Sequence, residues 1–264
     1  PTMSSAREIG HKDCEVPGFA DIWTCLFHCY YDYHIYNVPW QFHGIAQWKS
    51  LENSAMPTAN YPLDRTAYLL VDPYNDFLSE GGKVYPLIAP IATQVGLLDN
   101  LRALDRAVRA MDLPVVIVPH RRWEQGDYEN WDHPNPTQCK VMHMHHFARG
   151  EWGGEWHPDF APRDGDIVVQ EHWGSSGFAN TDLDFRLKQK GITHVIIVGL
   201  LANTCIEATA RYASELGYHV TLVRDATAAF KPEMMQAAHE LNGPTFAHAI
   251  VATDELIAAL ARQE

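Results

Sequence analysis

Short apolar runs recur along the chain, and each is closed by a residue that ends or bends a strand. Six stand out: 66–71, 115–118, 166–170, 194–199, 219–223 and 247–251, most of them rich in Val, Ile and Leu and without alternation. A strand buried on both faces reads as a continuous apolar run of this kind, as in parallel sheets flanked by helices. Between the runs the period changes. Ile91, Val95, Leu98, Leu101, Leu104 and Val108 repeat at helical spacing within 91–111, and helices are also predicted over 182–190, 205–217, 232–241 and 254–262. Thr181 is placed to cap the second of these, Gly191 and Gly217 to stop the second and third, and Pro232 to open the fourth. Strands alternating with helices predict an α/β fold: one doubly wound, mostly parallel six-stranded sheet with helices on both faces. This domain takes residues 61–264. Residues 1–60 precede it as an N-terminal arm, aromatic-rich over 25–40. Exposing so many rings is costly, so the arm is expected to pack on something, as an extension of the core, a subunit contact or a lid.

The residues that close the strands carry the chemistry. Asp72 follows the first strand, and Pro73 bars its extension. His120 follows the second strand, and Glu171, His172 and Trp173 follow the third. After the fourth, Gly199 breaks the run, Ala202-Asn203-Thr204 makes a polar turn, and Cys205 opens a helix. In a parallel sheet these tips share one edge, the edge where open α/β sheets bind ligands. The unpaired N–H groups and dipole of a helix start favour a thiolate at Cys205. Plainer roles compete: cysteine is often a small buried hydrophobe, and Asp76 suits a turn or cap. The stretch 121–160 is polar and aromatic without clear periodicity, and it carries Trp123, Trp131, Trp152 and Trp156. A connection that long is usually functional, and it is expected to shape the mouth of the site.

Composition narrows the partners. A net charge of -13, spread along the chain, speaks against nucleic acid and anionic membranes and leaves a small molecule as the expected partner. Five cysteines at irregular spacing, with no CxxC pair, form no disulfide framework. No signal-peptide pattern opens the chain and no apolar run approaches 18 residues, so a reducing, cytoplasmic location is expected. Fifteen histidines, three of them at 143, 145 and 146, show neither HExxH nor zinc-finger spacing, so no metal is expected. GxGxxG, GxxxxGK[ST] and GxSxG are all absent, and no cofactor is expected.

Three motifs in order resemble the isochorismatase-like cysteine hydrolases, the group of nicotinamidases, N-carbamoylsarcosine amidase and ureidoacrylate hydrolase. They are Asp72–Phe77, the stretch 165–170 followed by Ser-Gly-Phe and Thr-Asp-Leu-Asp, and the stretch 199–211 around Cys205. The similarity runs from about 66 to 251. It implies an Asp–Lys–Cys triad, of which Asp72 and Cys205 match, while Glu171 stands at the lysine position. It also implies a non-proline cis peptide, expected at Leu201–Ala202, that turns the N–H groups of Ala202 and Cys205 toward a substrate oxyanion. The Asp-x-His pair and further His of the zinc-binding nicotinamidases do not follow Asp72. The resemblance points to a hydrolase that opens a small amide, imide or ureido C–N bond through a Cys205 thioester. Asp72 would be acid and base, and Phe77, His120, His172 and Trp173 would line the substrate. Glu171 is expected to share a proton with Asp72, to sit neutral as a donor, or to bind an N–H-rich substrate, unless His172 or His120 supplies the missing positive charge. The alternatives are vinyl-ether hydrolysis of an isochorismate-like molecule and a non-catalytic binding or oligomerising protein with a degenerate triad. Family habit and the aromatic arm favour a homo-oligomer, dimer or tetramer.

Overall fold

A computed structural model describes residues 60–263. The expected N-terminal arm, apart from its last residue, lies outside the described residues. The six predicted strands are present: β1 Thr66–Val71, β2 Val115–Val118, β3 Ile167–Val168, β4 His194–Leu200, β5 His219–Ala228 and β6 Ala249–Val251. They form one sheet in the order β3-β2-β1-β4-β5-β6, with every pairing parallel. The order reverses between β1 and β4, which makes their carboxyl ends the switch point of a doubly wound sheet.

Both faces of the sheet are covered, and the side-chain period of two sorts the strands between them. Tyr68 and Leu70 of β1, with Ile117 and Val198, pack with the short helix α1 (Asn75–Leu78) and beneath helices α2 (Tyr85–Val95), α3 (Leu97–Ala110) and α8 (Thr253–Leu260). Leu69 and Val71, with Val116 and Ile197, pack against α5 (Leu183–Gln189) and α6 (Glu207–Glu215) on the other face. Every residue of β1 and β2 is buried, as their unbroken apolar runs predict. Each such large side chain contributes roughly 1.5–3 kcal/mol by leaving water.

Several predicted boundaries move, each for a local reason. The helix expected over 91–111 is two, because Gly96 adopts φ 70° and caps α2 through N–H bonds to Ala92 and Thr93. β3 is shorter than 166–170, since it is an edge strand with only β2 to pair with. β5 runs to Ala228 rather than stopping near Val223: a register shift between Ile197 and Gly199 lets its far end pair Thr227 and Ala228 with Gly199 and Leu200. The stretch 121–160 contains helix α4, Pro136–Met144, started by a capping box between Asn135 and Gln138. The helix α7, Pro232–Gln236, continues as a π-turn over Ala237–Asn242. No helix among the described residues is long and apolar enough to cross a membrane.

Candidate active site

The switch point brings three strand tips together. β1 delivers Asp72, whose backbone lies in the left-handed region (φ 55°), a conformation Asp tolerates better than most residues. Its N–H bonds the Val118 carbonyl at 3.0 Å, and its own carbonyl accepts the Tyr74 N–H at 2.8 Å. Beyond β3 the chain meets the end of β2 again one residue out of register: Ile117 pairs with Val168, whereas the parallel bridge at the tip joins His120 to His172. β4 ends at Leu200 and enters α6 through the π-turn Ala202–Ile206, and it is this turn that carries Cys205. Gly199 makes the close approach possible: a Cβ there would sit 2.2 Å from the Val71 carbonyl oxygen.

One atom each from Asp72, His172 and Cys205 lies within 4.8 Å of the other two. All three residues are buried, Asp72 and His172 completely. His172 Nε2 meets Asp72 Oδ1 at 3.0 Å, and His172 Nδ1 meets the Gly174 carbonyl at 2.7 Å. Burial alone would push this ring down. The charge and hydrogen bond of Asp72, the Gly174 carbonyl and the charge of Glu171 outweigh it and hold His172 above its ordinary value. Asp72 Oδ2 is buried and makes no hydrogen bond. Burial and then Asp72, through its charge and its close approach to the sulfur, push the Cys205 thiol well up, against smaller pulls from the Thr204 hydroxyl and the Leu201 backbone. The resting sulfur is therefore a thiol. The helix start that was expected to favour a thiolate is outweighed by desolvation and a carboxylate next to the sulfur.

The predicted site residues divide. Asp72, His172 and Cys205 converge. His120 is their neighbour, its ring edge-on to His172 at 5.0 Å and its Nδ1 2.9 Å from the Arg121 carbonyl. Burial and the His172 charge push His120 down to about 4, so it is neutral. Glu171 does not share a proton with Asp72: its carboxylate turns the other way, 2.7 Å from Arg122 Nε and 2.9 Å from Arg149, with Arg121 at 3.4 Å. Asp127 and Glu124 complete this network on Arg121 and Arg149. Trp173 packs under Arg121 at 4.6 Å and beside Trp131, on the arginine side. Phe77 is a core residue, tilted against Phe147 at 4.8 Å. Asp76 has the plain role expected of it, accepting the backbone N–H groups of Lys83 and Phe147.

The cis peptide lies at Leu200–Leu201, one residue before the expected Leu201–Ala202. Leu201 instead accepts the N–H groups of Thr204 and Ile206 and anchors the turn. Two further features escape a reading of the sequence. Tyr74 stacks on Trp156 at 4.9 Å and on Phe147 at 5.3 Å, and its hydroxyl donates to the His120 carbonyl. These rings come from segments more than 70 residues apart, and no spacing signals them. A cavity of about 540 Å³ sits between α2 and α7, lined by Ile91, Arg224, Met235 and His239 among others, and one of about 250 Å³ lies by α3. Asp72, His172 and Cys205 line neither. As for a metal, both ring nitrogens of His172 are engaged, Nδ1 by a carbonyl and Nε2 by Asp72, so an ion would have to break the pair to bind.

Comparison with known proteins follows the same geometry. The model of the isochorismatase domain matches residues 66–254. The chain is similar to ureidoacrylate amidohydrolase RutB of Pantoea ananatis, 28% identical over 205 residues that cover 73% of this chain and 81% of that protein. The namesake from Serratia proteamaculans is 30% identical over 194 residues, covering 69% and 77%. Among solved structures, N-carbamoylsarcosine amidase from Thermoplasma acidophilum is 27% identical with a TM-score of 0.55, covering 72% of this chain and 97% of that one. A cysteine hydrolase from Pseudomonas syringae pv. phaseolicola shares the fold, with a TM-score of 0.67 at 24% identity over 80% of this chain and all of that one.

Proposed function

The chain belongs to the isochorismatase family of hydrolases, and from that premise we propose that it opens a small amide, imide or ureido C–N bond with Cys205 as nucleophile and Asp72 as proton carrier. The observation that carries this reading is the meeting of a thiol and a carboxylate, 133 positions apart by residue number, at the switch point of one sheet. The names of the ureidoacrylate and N-carbamoylsarcosine relatives support a ureido or amide substrate. Asp72 takes the thiol proton as Cys205 Sγ attacks the carbonyl carbon. Backbone N–H groups of the turn at Ala202 and Cys205 receive the oxyanion, each such donor being worth about 2.7–4 kcal/mol where one has been removed. Asp72 then passes the proton to the departing nitrogen and the C–N bond breaks. Water, deprotonated by Asp72, hydrolyses the thioester, or the thiocarbamate formed from a ureido group, and the sulfur regains its proton. A thiol nucleophile must stay reduced, so a reducing, cytoplasmic setting belongs to this reading.

The reading requires access to a sulfur whose residue is only 6% exposed. Intact-mass spectrometry after incubation with a panel of small amides and ureides tests both points. An acyl or carbamoyl adduct on Cys205, with release of the amine, is the expected result. A folded protein whose Cys205 reacts neither with the panel nor with iodoacetamide would end the proposal.

A further inference from the structure

We propose that His172 is a positioning residue held as an imidazolium, whose charge keeps Asp72 a base and neutralises the Cys205 thiolate once the proton has moved. The inference rests on the hydrolase reading above, but it begins from proton accounting. A carbonyl oxygen only accepts, so the 2.7 Å bond to Gly174 puts a proton on His172 Nδ1. The 3.0 Å bond between Nε2 and Asp72 Oδ1 then needs one more proton, on the ring or on the carboxylate. Only the first choice leaves Asp72 able to accept from a thiol. It leaves Oδ2, buried and without a hydrogen bond, as the oxygen that receives the proton.

Charge balance points the same way. Before transfer the site holds a carboxylate, an imidazolium and a thiol. After transfer it holds a carboxylic acid, an imidazolium and a thiolate: the S–H bond breaks, an O–H bond forms, and the net charge stays zero. Without the imidazolium, activation would leave a bare thiolate in a site whose acid is completely buried, which is costly. The groups that face the ring are consistent with a charge on it. Asp72 comes from the tip of β1, Cys205 from the turn after β4, and Glu171 from its own segment; His120, from the tip of β2, is pushed down by the His172 charge and stays neutral.

The direct test needs no substrate. In protein labelled with ¹⁵N-histidine, both ring nitrogens of His172 are expected to carry protons at pH 7, while His120 keeps one bare nitrogen. The His172→Gln spectrum assigns the signal. A His172 ring with an unprotonated nitrogen at pH 7 would overturn the inference. The second arm reads Cys205 alkylation by iodoacetamide against pH. In the wild type the rate should fall as His172 loses its proton on the alkaline side. In His172→Gln it should be at least tenfold slower at pH 7 and rise steadily with pH. Equal rates and profiles in the two proteins would also overturn it. Should the variant not fold, the wild-type signal is assigned instead through its correlations to the backbone of His172, and that spectrum decides. Failure of the adduct experiment with a doubly protonated His172 would count against the hydrolase reading and leave this charge assignment standing.

Discussion

Histidines gather at both edges of the sheet, and the one ring that meets a carboxylate, His172, behaves in the opposite way to rings that meet only other rings. At the carboxyl edge His172 is completely buried yet held above its ordinary value, because Asp72 sits 3.0 Å from one nitrogen. At the amino edge His194, His219 and His248 stack in a row, with ring centroids 4.7 and 4.6 Å apart. No carboxylate bonds them; burial and then their own neighbours push His219 down to about 4 and lower His194 as well. His194 and His219 are less buried than His172 and still lose their protons more easily. Burial therefore does not decide the charge of a histidine here. The partner does, and only the edge that carries the candidate site supplies an anion.

The strongest way to break this contrast is to remove the anion. Asp72→Asn should turn His172 into a ring like His219, neutral at pH 7 and visible as such by ¹⁵N NMR. The variant also loses its base, so turnover of any substrate found by adduct formation should fall about a thousandfold or more. A variant that keeps a charged His172, or more than a tenth of the wild-type rate, would mean that another group holds the proton.

Acid sharpens the contrast next. His120 is depressed to about 4 in the folded protein, against an ordinary value near 6.5. The unfolded chain therefore binds the extra proton first, and stability contributed by a neutral His120 is present above about pH 6.5 and lost as pH falls toward 4. At about 1.4 kcal/mol per pKa unit this amounts to about 3 kcal/mol, read as a falling denaturation midpoint in urea. His172 has the opposite sign. Its raised value gives stability that is present below its ordinary range and lost as pH rises through the folded value. A midpoint that does not change between pH 7 and pH 4.5 would contradict the depressed set.

Much of this arrangement is legible in the residues, and the limit has a physical cause. β1 and β4 are continuous apolar runs, so their tips, Asp72 and the turn before Cys205, follow from hydrophobicity alone. β3 is different. Its regular part ends at Val168, so the side chains of 169–172 are no longer assigned to faces by a strand's period of two. Either Glu171 or His172 can then turn toward Asp72, and only the three arginines, two of them at 121–122 and one at 149, decide that Glu171 turns away. Those arginines sit in the long connection, where the sequence has little periodicity. The helix Pro136–Met144 in that same connection did carry a signal, Asn135-Pro136 with Gln138, masked by its polar surroundings. The protonation state of Cys205 is hidden for another reason: a helix start is visible in sequence, whereas the depth of burial that overrides it is not.

Glu171 offers a smaller test of the same division of labour. If its carboxylate serves the arginine network and not Asp72, Glu171→Gln should leave the alkylation rate of Cys205 within about threefold of wild type, a shift of under about 1 kcal/mol. Its cost should appear as stability, about 1–3 kcal/mol, because three guanidinium groups lose a partner whose side chain is 15% exposed. A large loss of Cys205 reactivity with little loss of stability would return Glu171 to the chemistry.

The smallest effect is expected at the amino edge. His219 stacks between His194 and His248, and its Nδ1 is buried without a hydrogen-bond partner. Phenylalanine keeps the ring, removes the lone unpaired nitrogen and cannot take up a proton. At pH 7 His219→Phe should change stability by less than about 1 kcal/mol, since a stacked ring is exchanged for a stacked ring. Between pH 6.5 and 4 the variant should lose less stability than the wild type, because one depressed group no longer titrates. Its ¹⁵N signals for His172 should not move. A shift there would mean that the two edges are coupled through the strands, and the charge of His172 would then depend on more than its own carboxylate.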